Sequence, residues 1–172
     1  MRAEIKTTDM KAKRLTGVFP GSFDPVTYGH IDLVRRALGV FDRVIVAVAR
    51  DSSDKRALFS VEERVAFLKK ALRGMKNVGI EEFDGLVVNY CRKKKASAMI
   101  RGIRMLSDFE YEFQMALTNR RLAGDIETIF LMPHESYATV SSRLVKEVAS
   151  LQGDVRSFVP GFVATALKAK FL

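Results

Sequence analysis

The stretch Pro20-Gly-Ser-Phe-Asp-Pro-Val-Thr-Tyr-Gly-His30 follows an apolar segment, Leu15–Phe19, and leads into a segment with helical periodicity. Its two prolines and two glycines predict that a strand ends at a shaped turn, from which a Gly-His pair opens a helix. Backbone N–H groups at the start of a helix attract phosphate, and Gly21 lets a ligand approach the backbone closely. Ser22 adds a hydroxyl donor. The stretch therefore predicts a strand–turn–helix unit that binds an anion, with His30 facing it.

Beyond this unit, short apolar runs alternate with amphipathic segments along the chain. Further strands are predicted at Val44–Ala49, Val78–Phe83, Ser97–Arg101 and Glu127–Met132. The first helix is predicted to carry Ile31, Val34, Leu38 and Phe41, and the second to open at the capping box Ser60–Glu63. The later helices are predicted at Leu86–Lys94, from a cap at Asp108 to Leu122, at Ser141–Leu151, and after Pro160.

Strands that alternate with helices predict an α/β fold: a Rossmann-like single domain whose five-stranded parallel sheet carries helices on both faces. We expect the first strand to be central, the domain to span residues 15–172, and residues 1–14 to form a polar N-terminal arm. Ligands of such sheets bind at the carboxyl ends of the strands, near the point where the strand order reverses. The loops of interest are therefore residues 20–29, 50–59, 102–107 and 133–141.

Composition excludes several classes of protein. The single cysteine, Cys91, excludes an internal disulfide and a cysteine-rich zinc site. The longest apolar run, Val44–Ala49, is too short for a membrane span, and no apolar signal segment opens the chain, so we expect a cytoplasmic protein with no membrane partner. The net charge is +9, but its densest cluster, Arg92–Lys95, lacks interleaved aromatic residues and suits a solvated helix end. A nucleic-acid-binding module is thus a weaker alternative, and nucleic acid is not an expected partner.

Two motifs carry a family resemblance. Thr27-Tyr-Gly-His30 resembles the (His/Thr)-x-Gly-His motif of the nucleotidyltransferase superfamily, and Val140-Ser-Ser-Arg-Leu-Val-Lys146 resembles its serine-rich second motif. Together with Pro-Gly-Ser-Phe-Asp-Pro, the segments Ile100–Arg104, Asp108–Glu112 and Phe130–Pro133 look like phosphopantetheine adenylyltransferase. The similarity covers about residues 15–165 and leaves only the N-terminal arm without a counterpart.

The resemblance implies an enzyme that transfers AMP from ATP to 4′-phosphopantetheine, giving dephospho-coenzyme A and pyrophosphate in the penultimate step of coenzyme A synthesis. The nucleophile is a phosphate oxygen that is already ionised at neutral pH, so neither a general base nor an enzyme nucleophile is needed. The reaction needs alignment of its substrates and neutralisation of their charge. Mg²⁺ is expected with ATP, and no metal ligand is predicted because no paired-carboxylate site stands out. The family assembles as a homo-hexamer, which we expect here.

The resemblance also implies residue roles. His30 stabilises the pentacovalent α-phosphorus, and Ser22 and Phe23 lie at the junction of the two substrates. Lys55 and Arg101 serve catalysis and bind phosphopantetheine, and Val87 contributes to the apolar wall of its arm. The remaining ATP-binding residues are Gly102, Ile103, Arg104, Glu112, Tyr137, Ala138, Thr139, Val140, Ser141, Ser142 and Arg143.

Some positions depart from the family pattern. Ala57 stands where proline is usual and the preceding loop is one residue longer, so Lys55 and Arg56 are alternatives for the functional lysine. Arg143 replaces a common third serine. Nicotinate-mononucleotide adenylyltransferase and cytidylyltransferases share the histidine motif, but the pairing of Ile100–Arg104 with Asp108–Glu112 argues against them.

Overall fold

The computed structural model of the chain describes residues 14–50 and 57–172. The predicted N-terminal arm, apart from its last residue, and both candidate cations Lys55 and Arg56 lie outside these ranges. The strands are β1 (Thr16–Gly21), β2 (Arg43–Ala49), β3 (Val78–Phe83), β4 (Ala98–Gly102) and β5 (Glu127–Leu131). The α-helices are α1 (Tyr28–Ala37), α2 (Val61–Ala71), α3 (Val87–Lys93), α4 (Leu106–Leu122), α5 (Ser142–Ser150) and α6 (Gly161–Phe171), and a 3₁₀ turn spans Glu135–Tyr137.

The strands form one parallel sheet in the order β3-β2-β1-β4-β5, so β1 is central, as the sequence predicts. Val18 of β1 lies opposite Ile45 of β2 on one side and Met99 of β4 on the other. The chain winds outward to β3 and then returns to β4, so the strand order reverses between β1 and β4. A crevice opens at such a point, beyond the carboxyl ends of the two strands.

Helices cover both faces of the sheet, which confirms the predicted fold class. One hydrophobic core packs the side chains of Val46, Ile100 and their neighbours against α1, α2, α5 and α6. A smaller core packs the alternate strand residues, among them Ile45 and Met99, against α3 and the end of α4. Because successive side chains of a strand point to opposite faces, a strand buried on both faces must be apolar throughout. Val44–Ala49 meets this requirement.

β1 runs two residues further than the sequence predicts, through Pro20 and Gly21. Proline is tolerated because β1 pairs with β4 only at Gly17 and Val18, so the missing N–H of Pro20 breaks no bond on that side. The Pro20 carbonyl faces β4, where it accepts a hydrogen bond from Arg101 Nη1 at 3.1 Å. The turn therefore begins later than predicted, at Ser22.

Two helix boundaries also differ from the prediction. α1 ends at Ala37, and Phe41 lies beyond it, buried in the turn that enters β2. Asp108 does not cap α4: the helix begins at Leu106, and the Asp108 carboxylate instead accepts hydrogen bonds from Arg104. Within the described ranges, no helix is both long enough and apolar enough to cross a membrane.

Candidate active site

A cleft with a volume of about 350 Å³ lies where the strand order reverses. The β1–α1 turn, the end of β4 and the start of α5 enclose it, and α4 contributes Glu112. The sequence-predicted residues that line it are Ser22, Phe23, His30, Arg101, Gly102, Arg104, Glu112, Val140, Ser141, Ser142 and Arg143. The fold thus brings the two motifs, which are more than a hundred residues apart in sequence, to one cleft.

His30 stands in the first turn of α1, in a capping box with Thr27. The Thr27 N–H donates to His30 Nδ1 at 3.0 Å, so Nδ1 is an acceptor and the ring proton of the neutral imidazole is on Nε2. Burial and, second, the positive charge of Arg104 lower the pKa of His30 to about 4. Nε2–H has no acceptor among the described residues. At neutral pH His30 is therefore an uncharged donor in the wall of the cleft.

The imidazole of His30 is held by aromatic neighbours. Phe23 meets it edge-on with ring centroids 5.1 Å apart, and Phe19 meets Phe23 edge-on at 5.4 Å. Phe23 is buried and has a φ of +50°, a left-handed conformation that is costly for a bulky residue. Gly21 makes room for this ring, since a Cβ there would lie 3.1 Å from it. The turn is thus shaped around Phe23, and the Phe23 ring fixes His30.

Two carboxylates of α4 hold Arg101, near the end of β4, and Arg104, in the loop that follows. Glu112 receives two hydrogen bonds from Arg101, from Nε at 2.7 Å and from Nη2 at 2.5 Å. Asp108 receives bonds from Nε and Nη2 of Arg104 at 2.9 and 3.1 Å, while Arg104 Nη1 donates to the Val140 carbonyl at 2.8 Å. Such paired bonds fix the plane of a guanidinium. Both cations are therefore oriented before any ligand is bound.

The hydroxyls of the serine-rich motif already have partners in the protein. Ser141 is the N-cap of α5, and its Oγ accepts a hydrogen bond from the Leu144 N–H at 3.0 Å. Ser142 Oγ donates to the Pro25 carbonyl at 2.7 Å and ties α5 to the first loop. The N–H groups of Ser142 and Arg143 have no acceptor among the described residues. These N–H groups, at the positive end of α5, face anions more directly than the hydroxyls do.

The structure adds to the site an ion pair that was not predicted from the sequence, between the buried carboxylate of Asp24 and the partly exposed Lys146. Asp24 lines the cleft, accepts from Lys146 Nζ of α5 at 2.7 Å, and accepts from the N–H groups of Leu58 and Phe59 at 2.9 Å each. It therefore joins the first loop to α5 and to the segment before α2. Lys146 closes the serine-rich motif and also lines the cleft, which is the sequence signal that could have found it.

Other predicted residues do not line this cleft. Ile103, Ala138 and Thr139 lie outside its wall, as does Tyr137, whose ring centroid is 6.2 Å from that of Tyr28. Val87 lines a separate cavity of about 70 Å³, which shares Arg101 and Glu112 with the main cleft.

The cleft is positively charged. Its wall carries Arg101, Arg104, Arg143 and Lys146 against two carboxylates, Asp24 and Glu112. Each of these carboxylates is already bonded to a cation, and the described residues contain no group of three or more His, Cys, Asp or Glu that could hold a metal ion. A divalent cation such as Mg²⁺ in this cleft would therefore be held mainly by the oxygens of a bound phosphate ligand and by water.

Comparison with known proteins identifies the family. The cytidylyltransferase-like family model matches residues 18–148. The phosphopantetheine adenylyltransferase of Thermodesulfovibrio yellowstonii is 54% identical over 91% of this chain and 97% of its own, and that of Caldanaerobacter subterraneus subsp. tengcongensis is 53% identical over 90% and 96%. A Vibrio parahaemolyticus protein assigned as a nicotinate-nucleotide adenylyltransferase shares the fold, with a TM-score of 0.62 over 91% of this chain and 99% of its own at 15% identity. The chain belongs to the phosphopantetheine adenylyltransferase family.

Proposed function

We propose that this chain transfers the adenylyl group of ATP to 4′-phosphopantetheine, giving dephospho-coenzyme A and pyrophosphate. The observation that carries the proposal is the meeting of the histidine motif and the serine-rich motif in one positively charged cleft. A site for this reaction must hold two anionic substrates close together. The four cations of the cleft wall supply the positive charge that offsets the repulsion between the two anions.

The reaction proceeds by direct displacement at the α-phosphorus. A phosphate oxygen of the acceptor forms the new P–O bond, and the bond to pyrophosphate breaks as the leaving group takes the electron pair. No proton has to be removed from the nucleophile. Catalysis therefore consists of alignment and of stabilising the charge that builds on the equatorial oxygens. His30 Nε2–H is the donor proposed to face those oxygens, and the carboxylates of the cleft do not compete for it because they are paired with Lys146 and Arg101.

ATP occupies the side of the cleft formed by α5 and the end of β4. The first-turn N–H groups of α5, with Arg104 and Arg143, bind its phosphates, while Gly102, Ile103 and the segment Tyr137–Val140 lie towards the nucleoside. Glycine at position 102 is also required by the packing of the protein, because a Cβ there would lie 2.4 Å from Leu33 Cδ1 and clash with it. Mg²⁺ enters with the phosphates of ATP.

Phosphopantetheine occupies the Arg101 side. Arg101 lines both the main cleft and the small cavity that contains Val87, so one residue can bind the acceptor phosphate while its arm extends towards Val87. Glu112 orients Arg101 through its two hydrogen bonds, and it also lies on the side of the cleft proposed for ATP. Lys55, with Arg56 as its alternative, is proposed to reach the same phosphate from the β2–α2 loop, outside the described residues.

We propose a homo-hexamer as the working form. α4 leaves large apolar side chains exposed on a single chain, more than a solvated helix needs. They are Leu106, Phe109, Tyr111, Phe113, Met115, Leu117 and Leu122, and Met105 at the N-cap is exposed as well. The cytoplasmic location remains a prediction.

A pyrophosphate-release assay tests the function against its rivals. With ATP and Mg²⁺, release should depend on 4′-phosphopantetheine and be absent with nicotinate mononucleotide or glycerol 3-phosphate. Release with nicotinate mononucleotide alone would instead favour the rival adenylyltransferase.

A nucleic-acid-binding role would require salt-dependent retention of plain duplex or single-stranded DNA, which we expect to be weak. Of the Arg92–Lys95 cluster, Arg92 pairs with Asp125 and Lys94 with Glu81.

A further inference from the structure

Arg64 is a fully buried cation directly beneath the candidate active site. It lies in α2, and only 1% of its surface is exposed. Its Nη1 donates to the carbonyl oxygens of Ser22 at 2.7 Å and of Ala49 at 3.0 Å. Burying a charge is costly, and a guanidinium inside a protein needs good hydrogen-bond partners to be retained. These partners are the main chain at the exit of β1 and at the end of β2.

The bond to Ser22 fixes the orientation of the next peptide group. The Ser22–Phe23 peptide is trans, so its C=O and N–H point in opposite directions. Because the C=O is turned towards Arg64 in the interior, the Phe23 N–H is turned away from it. Ser22 and Phe23 line the cleft whereas Arg64 does not, and the Phe23 N–H has no acceptor among the described residues.

The backbone at Phe23 would not adopt this arrangement easily by itself. Its φ of +50° places a bulky aromatic residue in the left-handed region, which persists only where the surroundings hold it. Two contacts hold it here. One is the hydrogen bond from Arg64 to the Ser22 carbonyl, and the other is the packing of the Phe23 ring against Phe19 and His30.

We propose that Arg64 is a positioning residue of the transfer reaction: by holding the Ser22 carbonyl, it presents the Phe23 N–H to the phosphoryl group that is transferred. The identity of that ligand rests on the proposed function. Arg64 touches no substrate, and its effect passes through the peptide group. A fixed N–H aimed at developing phosphate charge acts mainly in the transition state, so its loss lowers kcat more than it raises KM.

Kinetics with a matched control tests this role. Arg64→Met removes the donors, and Arg64→Lys keeps the charge but lacks the terminal Nη1 that reaches both carbonyls. Leu68→Ala, one turn along α2 and also buried, destabilises the same helix without touching the turn. We expect kcat per folded molecule to fall about 100-fold in Arg64→Met and about 10-fold in Arg64→Lys, with KM for ATP changed less than about 3-fold. Leu68→Ala should keep the kcat of the parent enzyme; equal kcat in all three variants would overturn the proposal.

A spectroscopic measurement decides the same point without turnover. The sequence contains two Ser-Phe pairs, Ser22-Phe23 and Ser157-Phe158. Labelling with ¹³C-carbonyl serine and ¹⁵N-phenylalanine therefore selects the NMR signals of two amides, those of Phe23 and Phe158. The Phe158 N–H is an internal reference because it already donates to the Val155 carbonyl at 2.9 Å. With α,β-methylene-ATP and Mg²⁺, the Phe23 amide should move downfield in the parent protein and not in Arg64→Lys, while Phe158 stays in place. An unmoved Phe23 amide in the parent protein would overturn the proposal. Absence of transfer activity with a moving Phe23 amide would refute the proposed function and leave the role of Arg64 intact.

Discussion

Arg101 and Glu112 form a two-bond ion pair across the edge of the sheet, with N–O distances of 2.7 and 2.5 Å. The arginine lies in β4 and the carboxylate in α4. Both side chains line the cleft and the small cavity beside it. The pair holds the guanidinium in one plane while its net charge is partly neutralised. At the proposed site, an acceptor phosphate would therefore meet a cation that is already oriented and that it shares with a carboxylate.

Arg101→Ala should weaken phosphopantetheine binding and leave ATP binding nearly unchanged. A hydrogen bond to a charged group contributes about 1.5–3 kcal/mol, which corresponds to about 10- to 150-fold in affinity. Ser142→Ala, on the other side of the cleft, removes the hydroxyl that ties the start of α5 to the Pro25 carbonyl. It should weaken ATP binding by the smaller factor of about 5, because a neutral hydrogen bond contributes about 1 kcal/mol. Isothermal titration with each substrate alone measures both. Loss of ATP binding in Arg101→Ala with phosphopantetheine binding intact would reverse the assignment of the two halves.

His30→Ala should lower turnover by a factor of about 10²–10³, the effect of losing one donor to transition-state charge. ATP affinity should change much less, since the donor acts mainly after bond formation begins. The chain has one other histidine, the exposed His134, and His134→Ala is the matched control with kcat near that of the parent enzyme. Near-normal turnover of His30→Ala would remove His30 from the mechanism.

Acid should destabilise the fold through His30. Its pKa is about 4 in the folded chain and near the ordinary value of 6.5 in the unfolded chain, so between these values the unfolded state binds more protons. The free energy of unfolding therefore falls as pH falls from about 6.5 to 4, by at most about 1.4 kcal/mol per pH unit from this one group. Urea unfolding of the parent protein and of His30→Asn at several pH values isolates the effect. The slope difference should vanish above pH 7, and equal slopes at pH 5 would contradict the neutral state of His30.

Gly29→Ala should stabilise the fold while weakening ATP binding. A Cβ at Gly29 would make only ordinary contacts with the protein, at 3.5 Å or more, although the residue lines the cleft. Alanine is favoured over glycine inside a helix by about 0.5–1 kcal/mol, so the protein alone gives no reason for glycine here. Gly161→Ala at the start of α6, where a Cβ meets nothing within 4 Å, is the control that should leave nucleotide affinity unchanged. Unchanged ATP affinity in Gly29→Ala would show that no ligand uses this space.

Charging the outer face of α4 should break the assembly. Phe109 and Phe113 stack at 5.6 Å and are both exposed on the single chain, so Phe113→Lys places a cation in the proposed interface. Sedimentation should give about six times the 19.3 kDa chain mass for the parent protein and a smaller species for the variant. Leu151→Lys, at an exposed leucine far along the chain, is the control that should remain assembled. A monomeric parent protein would refute the hexamer.

The architecture could be predicted from the sequence because its signals are strong and local. β-branched runs such as Val44–Ala49, the capping box at Ser60 and the glycine-rich turn before His30 each specify one element, and parallel order follows from their alternation. The boundaries that differed depend on tertiary contacts. Phe41 has helical spacing, but it lies in the turn into β2. Asp108 is a residue type that commonly caps helices, but its carboxylate is bonded to Arg104.

The motifs could also be predicted, whereas the contacts beneath them could not. Ser22, His30 and Arg101 stand in recognisable segments, and the fold brings them to one cleft. Arg64 sits in an ordinary amphipathic helix, so nothing in the local pattern indicates that its side chain is buried under the first loop. Asp24 resembles a turn residue, and only the approach of Lys146 and of the chain before α2 reveals it as a junction of three segments.

The proposed reaction is a direct transfer of the adenylyl group between two aligned substrates, with no enzyme nucleophile. The stereochemical course at the α-phosphorus measures this directly, with one diastereomer of ATP carrying sulfur on the α-phosphate and 4′-phosphopantetheine as acceptor. A single in-line displacement predicts inversion of configuration in the dephospho-coenzyme A analogue, read by ³¹P NMR. Retention would require two successive displacements through an adenylylated enzyme and would contradict the account.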